Sequence, residues 1–197
     1  LRARKPSDRT TGEINVLADP NPWVSRGGLK LEHALQTFGL TPSGIAFDLG
    51  ASTGGFTQVL LHYGARHVHA IDVGRGQLHR KVADDPRVTQ HTGVNARHLG
   101  ALPGLPPPDW LVADLSFISL EKALPPALDL ARIDAMLIAL VKPQFEAGPG
   151  AVGRGGIVKD AQVHRMVVGR ISAFLTRMGW DVLGDCASPI GGGDGNA

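Results

Sequence analysis

Two acidic residues and a run of small residues follow strand-like stretches in the first half of the chain. Asp48 lies near the end of one apolar run, and Asp72 closes the next, about one βα unit further on. Small side chains let a ligand approach the backbone, and an acid at the end of the second strand suits a ribose diol. This spacing predicts an enzyme that binds a nucleoside cofactor. The small residues are Gly50, Ala51, Ser52, Thr53, Gly54 and Gly55.

The loop after Asp48 does not spell the G-x-G-x-x-G pattern of dinucleotide-binding folds. It also lacks the lysine and hydroxyl pair with which a P-loop holds phosphates. A cofactor without a pyrophosphate fits better, and S-adenosyl-L-methionine meets that description. Its methionine part would lie along the glycine backbone, and its ribose would meet Asp72. The loop taken alone is also compatible with tight strand-to-helix packing and no ligand.

Three charged residues form a second candidate set. Asp114 closes the apolar run 111–113, and Lys142 closes the run 137–141, while Lys30 falls in the first turns of a predicted helix. In a parallel sheet the ends of such runs lie at the ligand-bearing edge. Each charge alone is also explained as the point where a strand emerges into water.

Two amines and a carboxylate beside a sulfonium cofactor are suited to activating a hydroxyl group. A free alcohol is a weak acid, so its methylation benefits from a general base and from restraint of both reactants. Burial and neighbouring positive charge lower a lysine pKa, whereas a carboxylate raises it and orients the amine. We assign Lys142 as the base, with Lys30 and Asp114 placing and tuning it.

Composition favours one main domain and a mild attraction to polyanions. The chain has 197 residues, is 43% apolar and carries a formal net charge of +2. Its pI is about 8.9. A partly disordered, solvated basic tail explains the charge equally well. The basic residues gather near the N-terminus at Arg2, Arg4, Lys5, Arg9, Arg26 and Lys30.

The single cysteine, Cys186, excludes an intrachain disulfide and fits a reducing, cytoplasmic location. No apolar run reaches the length of a membrane span, so we expect a soluble protein with no membrane partner. The chain begins at Leu1 and ends at Ala197 after a glycine-rich run, which we interpret as a fragment. Residues 1–22 are polar and contain three prolines, which predicts a linker or the end of a preceding module.

From residue 23 onward, strand-like and helical patterns alternate, which predicts an α/β fold with a mostly parallel sheet covered on both faces. Ser25 is the expected cap of the first helix, which Gly39 and Pro42 end. Predicted strands are 45–49, 67–73, 88–91, 110–114, 135–141 and 180–187. Predicted helices are 25–38, 56–63, 77–83, 120–130 and 161–178.

Three further features have weaker functional interpretations. Asn95 follows the third strand, where a polar side chain would meet an adenine ring, although asparagine is also a common turn former. The loop 143–160 is long and glycine-rich, and its segment 153–156 with Lys159 is a candidate hinge over a polyanion or a loop without contacts. His67 and His69 share a strand face, but without acidic or cysteine neighbours we expect no metal site.

The sequence resembles the FtsJ-type RNA ribose methyltransferases, and more closely the TlyA family, often labelled hemolysins. The likeness runs from about Trp23 to Asn196. It rests on the strings VSRGGLKL (24–31), DLGASTGGFT (48–57), DVGRGQL (72–78), ADLSFISL (113–120), VKPQFE (141–146) and SPI (188–190).

The resemblance implies a Rossmann-like class I methyltransferase fold that uses S-adenosyl-L-methionine to methylate ribose 2′-hydroxyls of ribosomal RNA, with ribosomal subunits as partners. It implies that Phe56, Val73 and Asn95 bind the cofactor. They act in addition to the small-residue loop and to Asp48, Asp72 and Asp114. Lys30, Asp114 and Lys142 match the first three members of the family's Lys-Asp-Lys-Glu set.

The fourth member of that set, a glutamate, should follow Gly195 and Asn196, where this chain has Ala197. The resemblance therefore implies that residues 23–197 form a C-terminally truncated methyltransferase domain without its last edge strand. It implies methyl transfer for the complete protein, whereas for this fragment it implies cofactor binding without necessarily turnover of RNA. It also implies that residues 1–22 are a linker or the remnant of an N-terminal RNA-binding module.

Two other functional classes remain open from the sequence. The paired Asp48 and Asp72 are compatible with a nicotinamide-dependent oxidoreductase of Rossmann type. The basic N-terminus and the hemolysin label are compatible with a non-catalytic RNA-binding or pore-forming protein, although the sequence shows no clearly amphipathic basic helix.

Overall fold

The computed structural model describes residues 21–148, 158 and 160–191, and every structural statement below concerns these residues. Five strands form one sheet with the order β3-β2-β1-β4-β5. All neighbouring pairs run parallel. The expected α/β architecture with a parallel sheet is confirmed. The strands are β1 (Ile45–Leu49), β2 (His67–Asp72), β3 (Val88–Thr92), β4 (Trp110–Ala113) and β5 (Met136–Ala139).

Seven α-helices and one 3₁₀ helix connect or flank the described strands. Helix α1 ends where predicted, because Gly39 adopts a left-handed conformation with φ of 64° that a side chain would disfavour. The helices are α1 (Gly27–Phe38), α2 (Gly55–Tyr63), α3 (Arg80–Ala83), the 3₁₀ helix (Ala96–Ala101), α4 (Leu120–Ala123), α5 (Pro125–Leu130), α6 (Pro143–Glu146) and α7 (Ala161–Arg177).

Helices cover both faces of the sheet, and each face has its own apolar cluster. On one face, Leu31 and Leu35 of α1 and Leu60 of α2 pack against the sheet. On the other, Leu124 of α4–α5 and Phe174 of α7 pack against it. Strands buried on both sides read as continuous apolar runs, which is why β1 and β4 are recognisable in the sequence.

The predicted strand 180–187 is wrong, because these residues form no strand in the structure. A strand requires a partner for its backbone hydrogen bonds, and local propensity cannot supply one. Within the described residues, β5 pairs only with β4. Val182 and Leu183 instead stay 42% and 75% exposed.

Three helix predictions differ in detail from the structure. The helix predicted over 120–130 is split in two, because Pro125 has no amide hydrogen to continue the first segment. The helix predicted at 77–83 shrinks to the single turn α3. The loop predicted over 143–160 begins with the helical turn α6, where Pro143 occupies a favourable first position.

The expected cap of α1 is also wrong. Arg26 is the N-cap residue, and no side chain caps the helix. Ser25 contributes its backbone carbonyl oxygen instead, which accepts a hydrogen bond from the Gly28 amide at 3.1 Å.

Candidate functional site

A cleft lies where the strand order reverses. Strands β2 and β4 lie on opposite sides of β1, so the loops that follow β1 and β4 diverge and leave an opening at the carboxyl edge of the sheet. The cleft has a volume of about 290 Å³ and is lined by the small-residue loop, the start of α1 and Asp114. The strand order thus places the candidate cofactor loop beside a candidate catalytic residue.

Gly50 allows the loop after β1 to pass close to the loop after β4. Its φ is 85°, and a Cβ atom there would lie 2.6 Å from the backbone oxygen of Asp114. Only glycine satisfies both the conformation and the close approach. The exposed Ser52 also has a positive φ, of 47°, and its amide therefore turns toward Asp72.

Asp72 is fixed by two backbone amides at the end of β2. One carboxylate oxygen accepts a hydrogen bond from Ser52 at 2.8 Å, and the other accepts one from Gly74 at 2.7 Å. The carboxylate lines a second, smaller depression together with Ala51 and Gln77. A carboxylate held this way retains lone pairs for ligand hydroxyl groups.

Asp48 is a buried carboxyl group beneath the cleft. It is 0% exposed, and Thr57 donates a hydrogen bond to its Oδ2 atom at 2.6 Å. Its Oδ1 atom has no partner among the described residues. Burial raises the pKa of Asp48 to about 7, and the charges of Asp114 and Asp72 act in the same direction, whereas Thr57 opposes them.

This raised pKa predicts that Asp48→Asn stabilises the ligand-free protein increasingly as the pH rises. The wild-type folded state holds a proton at Asp48 that the unfolded chain loses near pH 3.8, so stability falls as the pH rises toward 7. The asparagine side chain does not titrate, so the variant avoids this loss of stability. We expect its advantage in unfolding free energy to grow by roughly 2 to 4 kcal/mol between pH 4.5 and 8, measured by urea denaturation.

Asp85→Asn is the matched control. Hydrogen bonds from Arg87 lower the pKa of Asp85 below 3.8, so this carboxylate is ionised in both states throughout that pH window. Its stability difference from wild type should not change with pH. A flat profile for Asp48→Asn as well would contradict the assigned ionisation of Asp48.

Glycines at the starts of α1 and α2 allow Lys30 to line the same cleft as the small-residue loop. A Cβ atom on Gly28 would lie 2.5 Å from the Trp23 ring, and one on Gly55 would lie 2.2 Å from the Ser25 hydroxyl. The N-termini of α1 and α2 can therefore approach closely. Lys30 and Asp114 line the same cleft as a result.

The environment of Lys30 favours its neutral form more than water does. Burial lowers the pKa of Lys30, the charge of Asp114 raises it, and the positive charges of Lys142 and Arg26 lower it further. Charges interact in this way only when they are close together. Lys30, Asp114 and Lys142 therefore lie near one another, although they come from distant parts of the chain.

Lys142 contacts Asp114 directly. Its Nζ atom lies 2.6 Å from Asp114 Oδ1 and donates a hydrogen bond to the Ser116 hydroxyl at 2.9 Å. Lys142 follows β5 and Asp114 follows β4, which are neighbouring parallel strands in register. The ion pair with Asp114 and the hydrogen bond to Ser116 fix the direction of the Lys142 side chain.

An aromatic pair, of which Phe117 is exposed and Phe145 half-buried, lies next to this ion pair. The ring centroids of Phe117 and Phe145 are 5.1 Å apart, and Lys142 Nζ lies 5.9 Å from the Phe145 ring centroid. Phe117 is 91% exposed and has a φ of 64°, a strained conformation for an aromatic residue. Strain and exposure in one residue make Phe117 a candidate for a functional role.

Some predicted site residues lie outside the two clefts. Asn95 caps the 3₁₀ helix, where its side-chain oxygen accepts a hydrogen bond from the Arg97 amide at 3.1 Å. Its role beside adenine stays a prediction, as does that of Val73, which is 65% exposed. The segment 153–156, Lys159 and residues 195–197 lie outside the described residues.

Sequence reasoning missed Ser116, Phe117 and Phe145. Ser116 and Phe117 follow Asp114 so closely that their position after β4 was an available signal. The exposure of Phe117 has no signal in the sequence, because an aromatic residue in an apolar string is normally buried. Only the structure shows this exposure and the positive φ that accompanies it.

The histidines on β2 and β3 interact with one another. His69 Nδ1 lies 2.9 Å from His91 Nε2, and burial lowers the pKa of His69 to about 4. Among the residues described, no group of three or more His, Cys, Asp or Glu side chains is arranged to hold a metal ion. No helix in that same part of the chain is long and apolar enough to cross a membrane.

A parallel sheet with a small-residue loop after β1, an acid at the end of β2 and charged residues after β4 and β5 is typical of α/β enzymes that bind a nucleoside cofactor. The model of the FtsJ-like methyltransferases matches residues 23–197. The chain belongs to this family.

Individual relatives agree with this assignment. The 16S/23S rRNA (cytidine-2′-O)-methyltransferase TlyA of Mycobacterium tuberculosis is 46% identical over all of this chain and 75% of its own length. Hemolysin A of Brachyspira hyodysenteriae is 38% identical over 95% of this chain and 79% of its own. The structure of a candidate hemolysin from Streptococcus thermophilus superposes with a TM-score of 0.85 at 42% identity, covering 91% of this chain and 66% of that one.

Proposed function

We propose that this protein transfers a methyl group from S-adenosyl-L-methionine to a ribose 2′-hydroxyl of ribosomal RNA. The observation that carries the proposal is the Lys142–Asp114 contact of 2.6 Å beside a cleft that Lys30 also lines. Membership of the FtsJ-like methyltransferases and the substrate named for the mycobacterial relative support the choice of reaction and RNA class.

The residues around the cleft fit the cofactor. The close approach at Gly50 leaves the loop backbone accessible, and Asp72 presents a fixed carboxylate to ribose hydroxyls. The unpartnered Oδ1 atom of Asp48 provides a buried polar group near the end of β1. When bound, S-adenosyl-L-methionine supplies an electrophilic methyl group on a sulfonium.

Lys142 is our candidate for the group that accepts the 2′-hydroxyl proton. The ion pair with Asp114 and the hydrogen bond to Ser116 fix the position of its Nζ atom, and a general base must be positioned before it can act. Lys30, whose pKa is lowered by burial, is proposed to place the hydroxyl and tune the local charge. Asp114 orients the Lys142 amine through their ion pair at 2.6 Å.

Methyl transfer to purified ribosomal subunits tests the proposal. The full-length protein is incubated with tritium-labelled cofactor and 30S or 50S subunits, and the modified nucleotide is then mapped. Label on a ribose 2′-oxygen of one rRNA supports the proposal, whereas the absence of transfer to either subunit contradicts it. Calorimetry with NAD is the control for the oxidoreductase alternative, and tight binding of NAD alone would favour that class.

Phe117 is proposed as a stacking platform for a base of the target RNA. Exposed aromatic rings beside a reacting centre are suited to hold unstacked bases, and such stacking contributes about 1 to 3 kcal/mol per base. Phe117→Gly removes the ring and relieves the strained φ. We expect kcat/KM for RNA to fall about tenfold or more, while the free energy of unfolding does not fall.

Phe117→Tyr is the control for this variant, because tyrosine keeps the aromatic face and should retain near wild-type kcat/KM. Affinity for the cofactor, measured by calorimetry, should stay within twofold in both variants. Wild-type kinetics for Phe117→Gly would exclude the stacking role.

A further inference from the structure

A buried carboxylate joins the two loops that carry the candidate catalytic residues. Glu146 lies one helical turn after Lys142, and its side chain is only 2% exposed. Its Oε1 atom accepts a hydrogen bond from the backbone amide of Leu120 at 2.8 Å. Leu120 begins helix α4, directly after the loop that contains Asp114, Ser116 and Phe117. Glu146 therefore connects the loop after β5 to the loop after β4.

Arg170 of helix α7 contacts the two short helices that follow these loops, α6 and α4. Its Nη2 atom donates hydrogen bonds to the Glu146 backbone oxygen at 2.8 Å and to Glu146 Oε2 at 3.1 Å. Its Nε atom lies 3.4 Å from Glu121 Oε2 in α4. A planar guanidinium can make these contacts together, which a lysine ammonium cannot reproduce.

These contacts have a geometric consequence for the site. Lys142 reaches Asp114 and Ser116 across the same pair of loops, and Phe145 reaches Phe117. Glu146, which makes the contacts with Leu120 and Arg170, is buried, whereas Phe117 in the same pair of loops is exposed. A small change in the separation of the loops would lengthen the 2.6 Å contact between Lys142 and Asp114.

We infer that Glu146 and Arg170 are positioning residues, which hold the loops after β4 and β5 at the separation that methyl transfer requires. This inference rests on the proposed function. Neither residue lines the cleft, so they act through Lys142, Asp114 and the aromatic pair. Misplacement of reacting groups by about 1 Å can cost on the order of 100-fold in rate.

The test uses Glu146→Gln and Arg170→Lys in the methyl-transfer assay with ribosomal subunits. We expect kcat to fall tenfold or more in each variant, with KM for RNA and affinity for the cofactor within twofold of wild type. Arg170 is 40% exposed at its side chain, so Arg170→Lys should fold even if Glu146→Gln does not. Circular dichroism and the cofactor-binding stoichiometry give the folded fraction.

Arg177→Lys is the matched control. Arg177 contacts the same Glu121 at 3.8 Å and is 66% exposed, but it makes no contact with Glu146 among the described residues. It should retain wild-type kcat. A wild-type kcat for fully folded Arg170→Lys would overturn the inference, and so would equal losses in Arg170→Lys and Arg177→Lys.

A second readout separates this inference from the proposed function. NMR cross-relaxation between the Phe117 and Phe145 rings reports the separation of the loops without any substrate. We expect this signal to weaken in Arg170→Lys and to persist in Arg177→Lys. If the wild-type protein methylates no RNA, the proposed function fails, and an unchanged ring signal in Arg170→Lys would independently refute the loop-holding role.

Discussion

Lys142→Ala is expected to reduce methyl transfer about 1,000-fold while affinity for the cofactor stays within twofold. The side chain is the proposed general base, and such a group typically contributes 10² to 10⁴ in rate. Lys142 does not line the cleft of the small-residue loop, so its removal should not weaken cofactor binding. Single-turnover kinetics with ribosomal subunits measure the rate, and calorimetry measures the affinity.

Lys122→Ala is the matched control for this experiment. Lys122 is an exposed lysine on α4, so the same change of side chain and charge should leave the rate near wild type. Lys30→Ala identifies which amine accepts the proton. Full activity in Lys142→Ala combined with a loss in Lys30→Ala would move the base to Lys30.

Gly50→Ala is expected to destabilise the protein by about 3 kcal/mol and to reduce cofactor affinity more than tenfold. The added methyl group would lie 2.6 Å from the backbone oxygen of Asp114, and the φ of 85° is unfavourable for alanine. The Asp114 backbone and the buried strands β1 and β4 are packed too tightly to move away from the added methyl group. The loop after β1 must therefore shift, and with it the surface that binds the cofactor. Thermal denaturation and calorimetry measure the two effects.

Gly169→Ala is the control for that substitution. Gly169 lies within α7, and a Cβ atom there would meet nothing within 4 Å. Alanine at this exposed position of the helix should stabilise the protein by about 0.5 to 1 kcal/mol. Cofactor affinity that is unchanged in Gly50→Ala would show that the close approach at Gly50 does not shape the binding surface.

Local patterns were sufficient to predict most of the fold. Strands β1 and β4 are apolar runs followed by polar or small residues, and α1 has regular helical spacing and a glycine end. These patterns reflect burial on one or both faces, which a short stretch of sequence records directly. The prediction failed at 180–187, because a strand depends on a partner that the stretch itself does not encode.

The candidate site was predictable only in its residue types. Lys30, Asp114 and Lys142 were identified from their positions at element ends and from the family resemblance, and the structure brings them together. The side chains that hold them were not identified. Glu146 is an acid beside a glycine-rich loop in the sequence, and only its burial against Leu120 and Arg170 distinguishes it from a solvated surface residue.

The sequence by itself determined the alternation of strands and helices, the glycine-rich turn after β1 and the chemistry available at the strand ends. The tertiary structure decided the strand order, the contact between Lys142 and Asp114, the exposed Phe117 and the buried junction at Glu146. The physical reason is that side-chain periodicity reports local burial, whereas distances between residues far apart in the chain are set by how the sheet and helices pack.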